Sequence, residues 1–261
     1  MSKVVVFDAG HSLVTSGKQT MNGKYGIVKE WTLNDKVLRK AKDILERNYS
    51  GITIYRTDDV TGKSDISLNE RVRRCNSYNP ALFISLHHNA SKGTGTEVYW
   101  HTYGTAEDKK VASILAPKLA SKCGMRNRGV KQMELGVLTC KATAILVEGG
   151  FMDTKSDYEY ICSDKGQQAY AEAVVETVVE YLGLTKKPTQ TSQNIANNTF
   201  KKVKIICDSL NIRKEASFDS KIMGTVKRNE VFTIVEERNG LGKLKSGAGW
   251  ISMNEKYVQK I

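Results

Sequence analysis

The sequence lacks any long hydrophobic run and contains only three prolines among 261 residues. No stretch approaches the ~18 consecutive apolar residues of a membrane-spanning helix, so we expect no transmembrane segment. Only the run Val4 to Phe7 precedes the first acid, Asp8, which is too short for the core of a secretory signal. We therefore expect no signal peptide. An apolar content of 40% indicates a globular chain with a hydrophobic core.

Cysteines are few, odd in number and widely spaced, and none forms a CxxC pair. The five are Cys75, Cys123, Cys140, Cys162 and Cys207. This pattern does not indicate a disulfide framework, and it is typical of thiols made in a reducing cytoplasm.

Positive charge is in excess, with a formal net charge of +12. Residues 184–261 carry 15 Lys and Arg against 7 Asp and Glu, or +8, which leaves +4 for residues 1–183. This imbalance predicts an acidic or polyanionic partner: nucleic acid, a membrane surface or a cell wall with anionic polymers. The surplus lysines are scattered along short strands without a nucleic-acid recognition element, so we expect no nucleic-acid partner.

The periodicity of the chain changes near Leu184. Strand-like and helix-like segments alternate in residues 1–184, which predicts an α/β domain with a twisted mixed β-sheet flanked by helices. Thr32 and Asp35 form a capping-box-like start for the first helix. Residues 185–199 are rich in Thr, Ser, Gln and Asn and indicate a linker. Residues 200–261 contain six short strand-like runs between turns, which predicts a small all-β, SH3-like barrel.

The segment Ala144-Ile-Leu-Val-Glu-Gly-Gly-Phe-Met-Asp153 combines a buried strand with a carboxylate at its end. A polar residue at the carboxyl end of a strand lies where open α/β sheets bind ligands. Glu148 has this position, and Gly149 and Gly150 after it allow a sharp turn or a close approach to a ligand.

Three further residues are candidates for a metal site. His11 and His87 each follow a predicted strand and Glu30 opens a helix, so a sheet with parallel strands would bring them to one edge. Catalytic zinc typically takes three such ligands and keeps a fourth position open. Glu148 could then transfer a proton as general base and acid.

Each of these residues also has a structural interpretation. Glu30 could stabilise a helix N-terminus through the helix dipole, and Asp8-Ala-Gly-His11 could be an ordinary turn. His87 and His88 could end a strand at the surface. His88 and His101 have no predicted role in the site and are expected at the surface or in packing.

Six segments together resemble the zinc-dependent N-acetylmuramoyl-L-alanine amidases of the type-3 family. They are Val6-Phe-Asp-Ala-Gly-His11, Glu30, Tyr55-Arg-Thr-Asp58, Leu68-Asn-Glu-Arg71, Phe83-Ile-Ser-Leu-His-His-Asn89 and Ile145-Leu-Val-Glu-Gly-Gly-Phe151. The resemblance, over about 1–183, implies cleavage of peptidoglycan between muramic acid and L-alanine. It implies one Zn²⁺ held by His11, Glu30 and His87, with Glu148 as the catalytic glutamate. Ser12-Leu13 departs from the glycine common after His11.

The C-terminal segment resembles a bacterial SH3 domain through Ser209-Leu-Asn-Ile-Arg213, Gly224-Thr-Val226, Val231–Val235 and Gly249-Trp-Ile251. Such modules bind cell wall, which implies peptidoglycan of a Gram-positive wall as the partner. Trp250 and Tyr257 are expected in the core of so small a barrel.

An amidase with a wall-binding domain and no signal peptide resembles a bacteriophage endolysin. This implies residence in the host cytoplasm until a separate membrane-permeabilising protein gives it access to the wall. Two alternatives remain open at this point: a zinc peptidase that cuts within the stem peptide, and a bacterial autolysin.

Overall fold

The computed structural model describes residues 2–187 and 201–261. The chain divides into two compact units, Met1–Thr189 and Gln190–Ile261. The predicted linker, 185–199, lies mostly outside the described residues, so the division into 1–184, 185–199 and 200–261 stays a proposal. At the start of that linker, Thr185 O accepts a hydrogen bond from Ser50 N, and Lys187 N donates to Asn48 O.

The N-terminal unit is a six-stranded mixed sheet flanked by helices, which confirms the predicted fold class. Its strands are β1 (Lys3–Ala9), β2 (Ile52–Arg56), β3 (Leu82–Asn89), β4 (Thr96–His101), β5 (Asn127–Met133) and β6 (Ala144–Phe151), in the order β2-β1-β3-β6-β4-β5. Its helices are α1 (Glu30–Asn48), α2 (Leu68–Ser77), α3 (Ala106–Cys123), α4 (Lys155–Ile161) and α5 (Asp164–Leu182), with a 3₁₀ turn at Gly136–Leu138. Strands β2, β1, β3 and β6 are parallel, whereas β4 runs antiparallel to β6.

The two faces of this sheet are covered differently, because side chains alternate along each strand. In β3, Leu82, Ile84 and Leu86 face the larger core, which α1, α3 and α5 complete. Phe83 and its neighbours on the other face meet α2 and the 3₁₀ turn in a smaller cluster. The less covered face therefore has room for a groove.

Three helices have a side-chain N-cap, whereas α1 has none. Ser67, Thr105 and Ser163 cap α2, α3 and α5 by accepting backbone N–H groups. The predicted capping box of Thr32 and Asp35 is wrong, because α1 begins at Glu30 after Lys29 without a side-chain cap. Both residues lie inside the helix, and Asp35 pairs with arginines instead.

Two elements of this unit were not predicted from the sequence. β5 (Asn127–Met133) has mostly polar side chains, since it is an edge strand that buries little. α4 (Lys155–Ile161) is only seven residues long. In addition, β6 continues through Gly149 and Gly150 to Phe151 and does not end at Glu148.

The C-terminal unit is a seven-stranded antiparallel sheet. Its strands are β7 (Lys201–Ile205), β8 (Ser209–Arg213), β9 (Ile222–Lys227), β10 (Val231–Arg238), β11 (Leu241–Leu244), β12 (Trp250–Ser252) and β13 (Val258–Lys260), in the order β13-β7-β10-β11-β12-β8-β9. The six predicted strands correspond to β7–β12, and β13 was missed. Trp250 is buried as predicted, whereas Tyr257 is exposed, so its assignment to the core is wrong.

The described parts of the chain, 2–187 and 201–261, include no helix with the length and apolar character to cross a membrane.

Candidate active site

Three parallel strands, β1, β3 and β6, deliver polar residues to the same edge of the sheet. His11 follows β1, His87 lies near the end of β3, and Glu148 lies near the end of β6. The register pairs His87 directly with Glu148, so the two side chains project from one face on neighbouring strands. The parallel arrangement assumed from the sequence is therefore present in these strands.

The segment after β1 is shaped by a buried ion pair. Arg71 Nη1 lies 2.6 Å from Asp8 Oδ1, and Arg71 Nη2 donates to the carbonyl of His11 at 2.7 Å. His11 has a φ of 66°, an uncommon conformation for a residue with a side chain. Ser12 stabilises the following turn, because its Oγ accepts the N–H groups of Val14 and Thr15. These contacts orient the His11 ring towards the sheet edge.

Glu30 reaches the same point from the first residue of α1. Its Oε2 lies 3.4 Å from His11 Nε2, and its Oε1 lies 3.1 Å from His87 Nδ1. Glu30 Oε1 also accepts the backbone N–H of His88 at 3.2 Å. Ligand atoms of His11, Glu30 and His87 all lie within 4.8 Å of one another. The three predicted metal ligands therefore converge.

The His87 ring depends on the absence of a side chain at Gly10. A Cβ added at Gly10 would lie 2.1 Å from His87 Cε1. The ring packs edge-on to His11, with centroids 4.9 Å apart, and His87 Nε2 lies 3.1 Å from Ser85 Oγ. Any larger residue at position 10 would displace this histidine.

His88 and His101 lie apart from this cluster. Strand alternation turns His88 to the helix-covered face, where its Nδ1 lies 2.8 Å from Asn34 Oδ1 and its ring contacts Tyr170. His101 ends β4 and accepts the N–H of Tyr103 at Nδ1. Among the positions that the structure covers, neither histidine belongs to the group of possible metal ligands.

Glu148 is close to the cluster and largely removed from water. Its Oε2 is buried and has no hydrogen-bond partner among the described residues. Burial raises the pKa of Glu148 to about 8, with the nearby carboxylates Glu30 and Glu97 adding to the shift and His87 opposing it. A carboxylate of this kind can take up and release a proton near neutral pH.

The ionisation of the three converging residues is set by burial and by one another. Burial disfavours the Glu30 carboxylate, yet contacts with His87 and His11 prevail and lower its pKa to about 2. Burial lowers the pKa of His11 to about 4 despite Glu30. For His87, burial acts in the same direction, but the contacts with Glu30, Glu148 and Asp8 prevail and raise its pKa. The cluster thus contains a permanent negative charge beside two imidazoles.

The donor set fits a zinc ion. Two imidazoles and one carboxylate are a ligand set of catalytic zinc, in which a fourth position is left for water or substrate. A water at the fourth position would need a hydrogen-bond acceptor, and the unpartnered Oε2 of Glu148 offers one beside the cluster.

Two adjoining cavities give access to the site, and both are lined by His11, His87, Leu135 and Leu146. One, of about 590 Å³, includes Glu30, Glu148, Asn89, Tyr99 and Met133 in its lining. The other, of about 530 Å³, extends along Ile66, Leu68 and Val137 and is more apolar. A substrate in this groove can therefore extend to both sides of the cluster.

Two features of the site were missed from the sequence. One is the Asp8–Arg71 pair, which joins β1 to α2, because the motifs in these two segments do not reveal their contact. Glu97 is a buried carboxylate one strand beyond Glu148, since the register pairs Glu97 with Glu148. Alternation along Thr96–His101 places Glu97 on the same face as Tyr99, but the partner strand could not be read from the sequence.

Comparison with known proteins identifies the class of this protein. Residues 5–180 match the N-acetylmuramoyl-L-alanine amidase family, and residues 208–259 match the bacterial SH3 domain family. The chain belongs to the N-acetylmuramoyl-L-alanine amidase family and carries a C-terminal bacterial SH3 domain. It is thus a peptidoglycan hydrolase, as the resemblance implied.

Individual relatives agree with this assignment. An endolysin of Bacillus phage SPP1 is 31% identical, and the alignment covers 99% of this chain and 98% of that protein. A sporulation-specific N-acetylmuramoyl-L-alanine amidase of Bacillus subtilis is 29% identical, with 84% of each chain covered. The crystal structure of an N-acetylmuramoyl-L-alanine amidase from Clostridium difficile 630 has 28% identity and a TM-score of 0.64, covering 70% of this chain and 97% of that one.

Proposed function

We propose that this chain hydrolyses the amide between N-acetylmuramic acid and L-alanine with a single Zn²⁺ held by His11, Glu30 and His87. The convergence of their ligand atoms within 4.8 Å, beside the carboxyl group of Glu148, carries the proposal. A zinc ion held by these residues would supply a Lewis acid for the scissile carbonyl and for water, which amide hydrolysis requires.

Glu148 is the group that moves the proton. Its carboxylate accepts a proton from the attacking water and returns it to the leaving amide nitrogen. In the metal-free protein the pKa of Glu148 is raised to about 8, and the positive charge of a bound zinc ion would lower it towards neutral pH, which suits a group that takes up and releases a proton. Its position opposite His87 keeps this proton carrier within one strand spacing of a metal ligand.

Glu30 and the Asp8–Arg71 pair hold the two histidine ligands in place. Glu30 contacts both imidazoles through separate oxygens, which orients the two rings before metal is bound. Arg71 fixes the carbonyl of His11, so the loop after β1 is tied to α2. A preorganised ligand set of this kind reduces the conformational freedom lost on metal binding.

Mass spectrometry of digested cell wall tests the reaction. The amidase releases intact stem peptides with a free L-alanine N-terminus from the glycan. A zinc peptidase with the same chemistry would instead create new termini inside the peptide, and that product would contradict the proposal.

We also propose that the biological role is lysis of a Gram-positive host by a phage. The support is the alignment with a phage endolysin over both units of the chain. In this role the SH3 domain binds the wall, and a separate membrane-permeabilising protein releases the enzyme from the host cytoplasm. Expression in a Gram-positive host with and without such a protein tests this: lysis should require both. Lysis by the enzyme alone would favour an autolysin.

A further inference from the structure

Glu97 is the centre of a dense hydrogen-bond network beside the proposed catalytic glutamate. Its Oε1 accepts from Asn89 Nδ2 and from the Tyr99 hydroxyl, each at 2.6 Å. Its Oε2 accepts from Arg128 Nε at 2.6 Å and from Lys131 Nζ at 2.5 Å. With four donors, a buried carboxylate has no capacity left for a substrate. Glu97 therefore serves to hold its neighbours.

The two cations on Glu97 keep unused binding capacity. The side chains of Arg128 and Lys131 are 28% and 37% exposed, whereas that of Glu97 is 2% exposed. Within 2–187 and 201–261, Nη2 of Arg128 donates to no acceptor, and its Nη1 reaches only the Thr94 carbonyl at 3.5 Å. One carboxylate neutralises one of two cations, so the group retains a net positive charge for an incoming anion.

Lys131 lies on the same face of the sheet as the active-site groove, and Arg128, at an irregularity in the pairing of β4 and β5, reaches Glu97 on that face. Lys131 pairs with Tyr99 across β4 and β5, and Met133, two residues further along β5, faces the same side. Tyr99 and Met133 both line the cavity that contains Glu148. Lys131 is therefore a neighbour of Tyr99 and Met133, which line the groove beside Glu148.

The distance from Glu148 to the two cations matches the length of the peptide on the leaving-group side of the cleaved amide. His87, Glu148 and Glu97 are paired across β3, β6 and β4, and neighbouring strands lie about 4.8 Å apart. The backbone of β5 is two strand spacings from that of β6, but the charged groups of Arg128 and Lys131 lie at Glu97 Oε2, so they are between one and two spacings from Glu148, or roughly 5–10 Å. Two extended residues span about 7 Å, and a free α-carboxyl group that branches from the second residue lies within the range of roughly 5–10 Å.

We propose that Arg128 and Lys131, anchored by Glu97, form a subsite for a carboxylate of the stem peptide, located on the residue that follows L-alanine. This inference rests on the proposed function, since it takes the stem peptide to be the leaving group. The subsite determines specificity for the charge state of the peptide and takes no part in the chemical step.

Two soluble muramoyl peptides test the subsite. They are identical except that the α-carboxyl group of the residue after L-alanine is free in one and a carboxamide in the other. The wild-type enzyme should have a KM about tenfold lower for the free acid, because the carboxylate adds charge-assisted hydrogen bonds. In Arg128→Gln and Lys131→Gln, KM for the acid should rise towards that for the amide, with kcat and bound zinc little changed.

Lys141→Gln is the matched control, because Lys141 is exposed and precedes β6 at the opposite end of that strand from Glu148. It should keep the wild-type preference. Equal KM values of the wild type for both substrates would overturn the subsite, as would variants that raise both KM values equally. If the wild type released no L-alanyl peptide from either substrate, the proposed reaction itself would fail. Cleavage of both without preference would contradict the subsite alone.

Discussion

At the scale of single residues, the charge of Glu148 links activity to stability. The Oε2 atom of Glu148 is buried and has no hydrogen-bond partner among the described residues, and burial raises the pKa of this carboxyl group to about 8 from a usual 4.5. The folded metal-free protein therefore binds this proton more tightly than the unfolded chain. The stabilisation is fully present below pH 4.5 and is lost as the pH rises towards 8.

Glu148→Gln should remove this pH dependence. In metal-free protein at pH 8 the variant should exceed the wild type in free energy of unfolding by on the order of 1–3 kcal/mol, and the gain should vanish near pH 5. Hydrolytic activity should fall by about 10²–10⁴-fold, since the proposed proton carrier is lost. Urea unfolding at both pH values checks the first result, and an equal difference at pH 5 and pH 8 would contradict it.

His88 illustrates how neighbouring residues acquire different roles. His88→Ala should leave the proposed metal site intact but cost about 1–3 kcal/mol of stability, because the buried Oδ1 of Asn34 loses its hydrogen-bond partner. Thermal unfolding measures the cost, and an unaltered midpoint for His88→Ala would show that its hydrogen bond contributes nothing.

At the scale of elements, α2 positions the segment that follows β1. Arg71→Met should destabilise the protein by about 3–5 kcal/mol, because it leaves the carboxylate of Asp8 buried without its charged partner. Arg73→Met is the matched control on the same helix, where the arginine pairs with Glu70 at the surface; its cost should be below about 1 kcal/mol. Chemical denaturation of the two variants compares them directly, and equal costs would exclude a special role for Arg71.

The elements also show what the sequence can predict. Strands β1, β3 and β6 are predictable because buried parallel strands are largely apolar runs, as in Val4–Phe7. β5 was not, since an edge strand with Arg128 and Lys131 has no such pattern. The capping signal at Thr32 was misleading because Lys29 and Glu30 begin α1 without a side-chain cap.

The residues of the candidate site also divide into those that the sequence predicts and those that it does not. His11, Glu30, His87 and Glu148 were found because motifs mark them in the sequence. Glu97 was not found, because its importance depends on the antiparallel pairing of β4 with β6 and on donors from three strands. Register between distant strands is a tertiary property that local patterns do not contain.

At the scale of the whole molecule, the excess of positive charge in the C-terminal unit predicts a division of labour. A variant that ends at residue 189 should cleave soluble muramoyl peptides at the wild-type rate but lyse cells at least tenfold more slowly. Tethering raises the concentration of the enzyme at the wall without a contact at the cleaved bond. Turbidity loss of Gram-positive cells, compared with soluble-substrate kinetics, measures both effects. Equal lysis by both forms would contradict a wall-binding role.

The metal content of purified variants tests the central claim most directly. The wild type, Glu148→Gln and His88→Ala should each contain one zinc per chain, because none of these changes removes a proposed ligand. His11→Ala and His87→Ala should contain little or none. Retention of zinc by His87→Ala, or its loss from His88→Ala alone, would contradict the assignment of His11, Glu30 and His87 as the metal site.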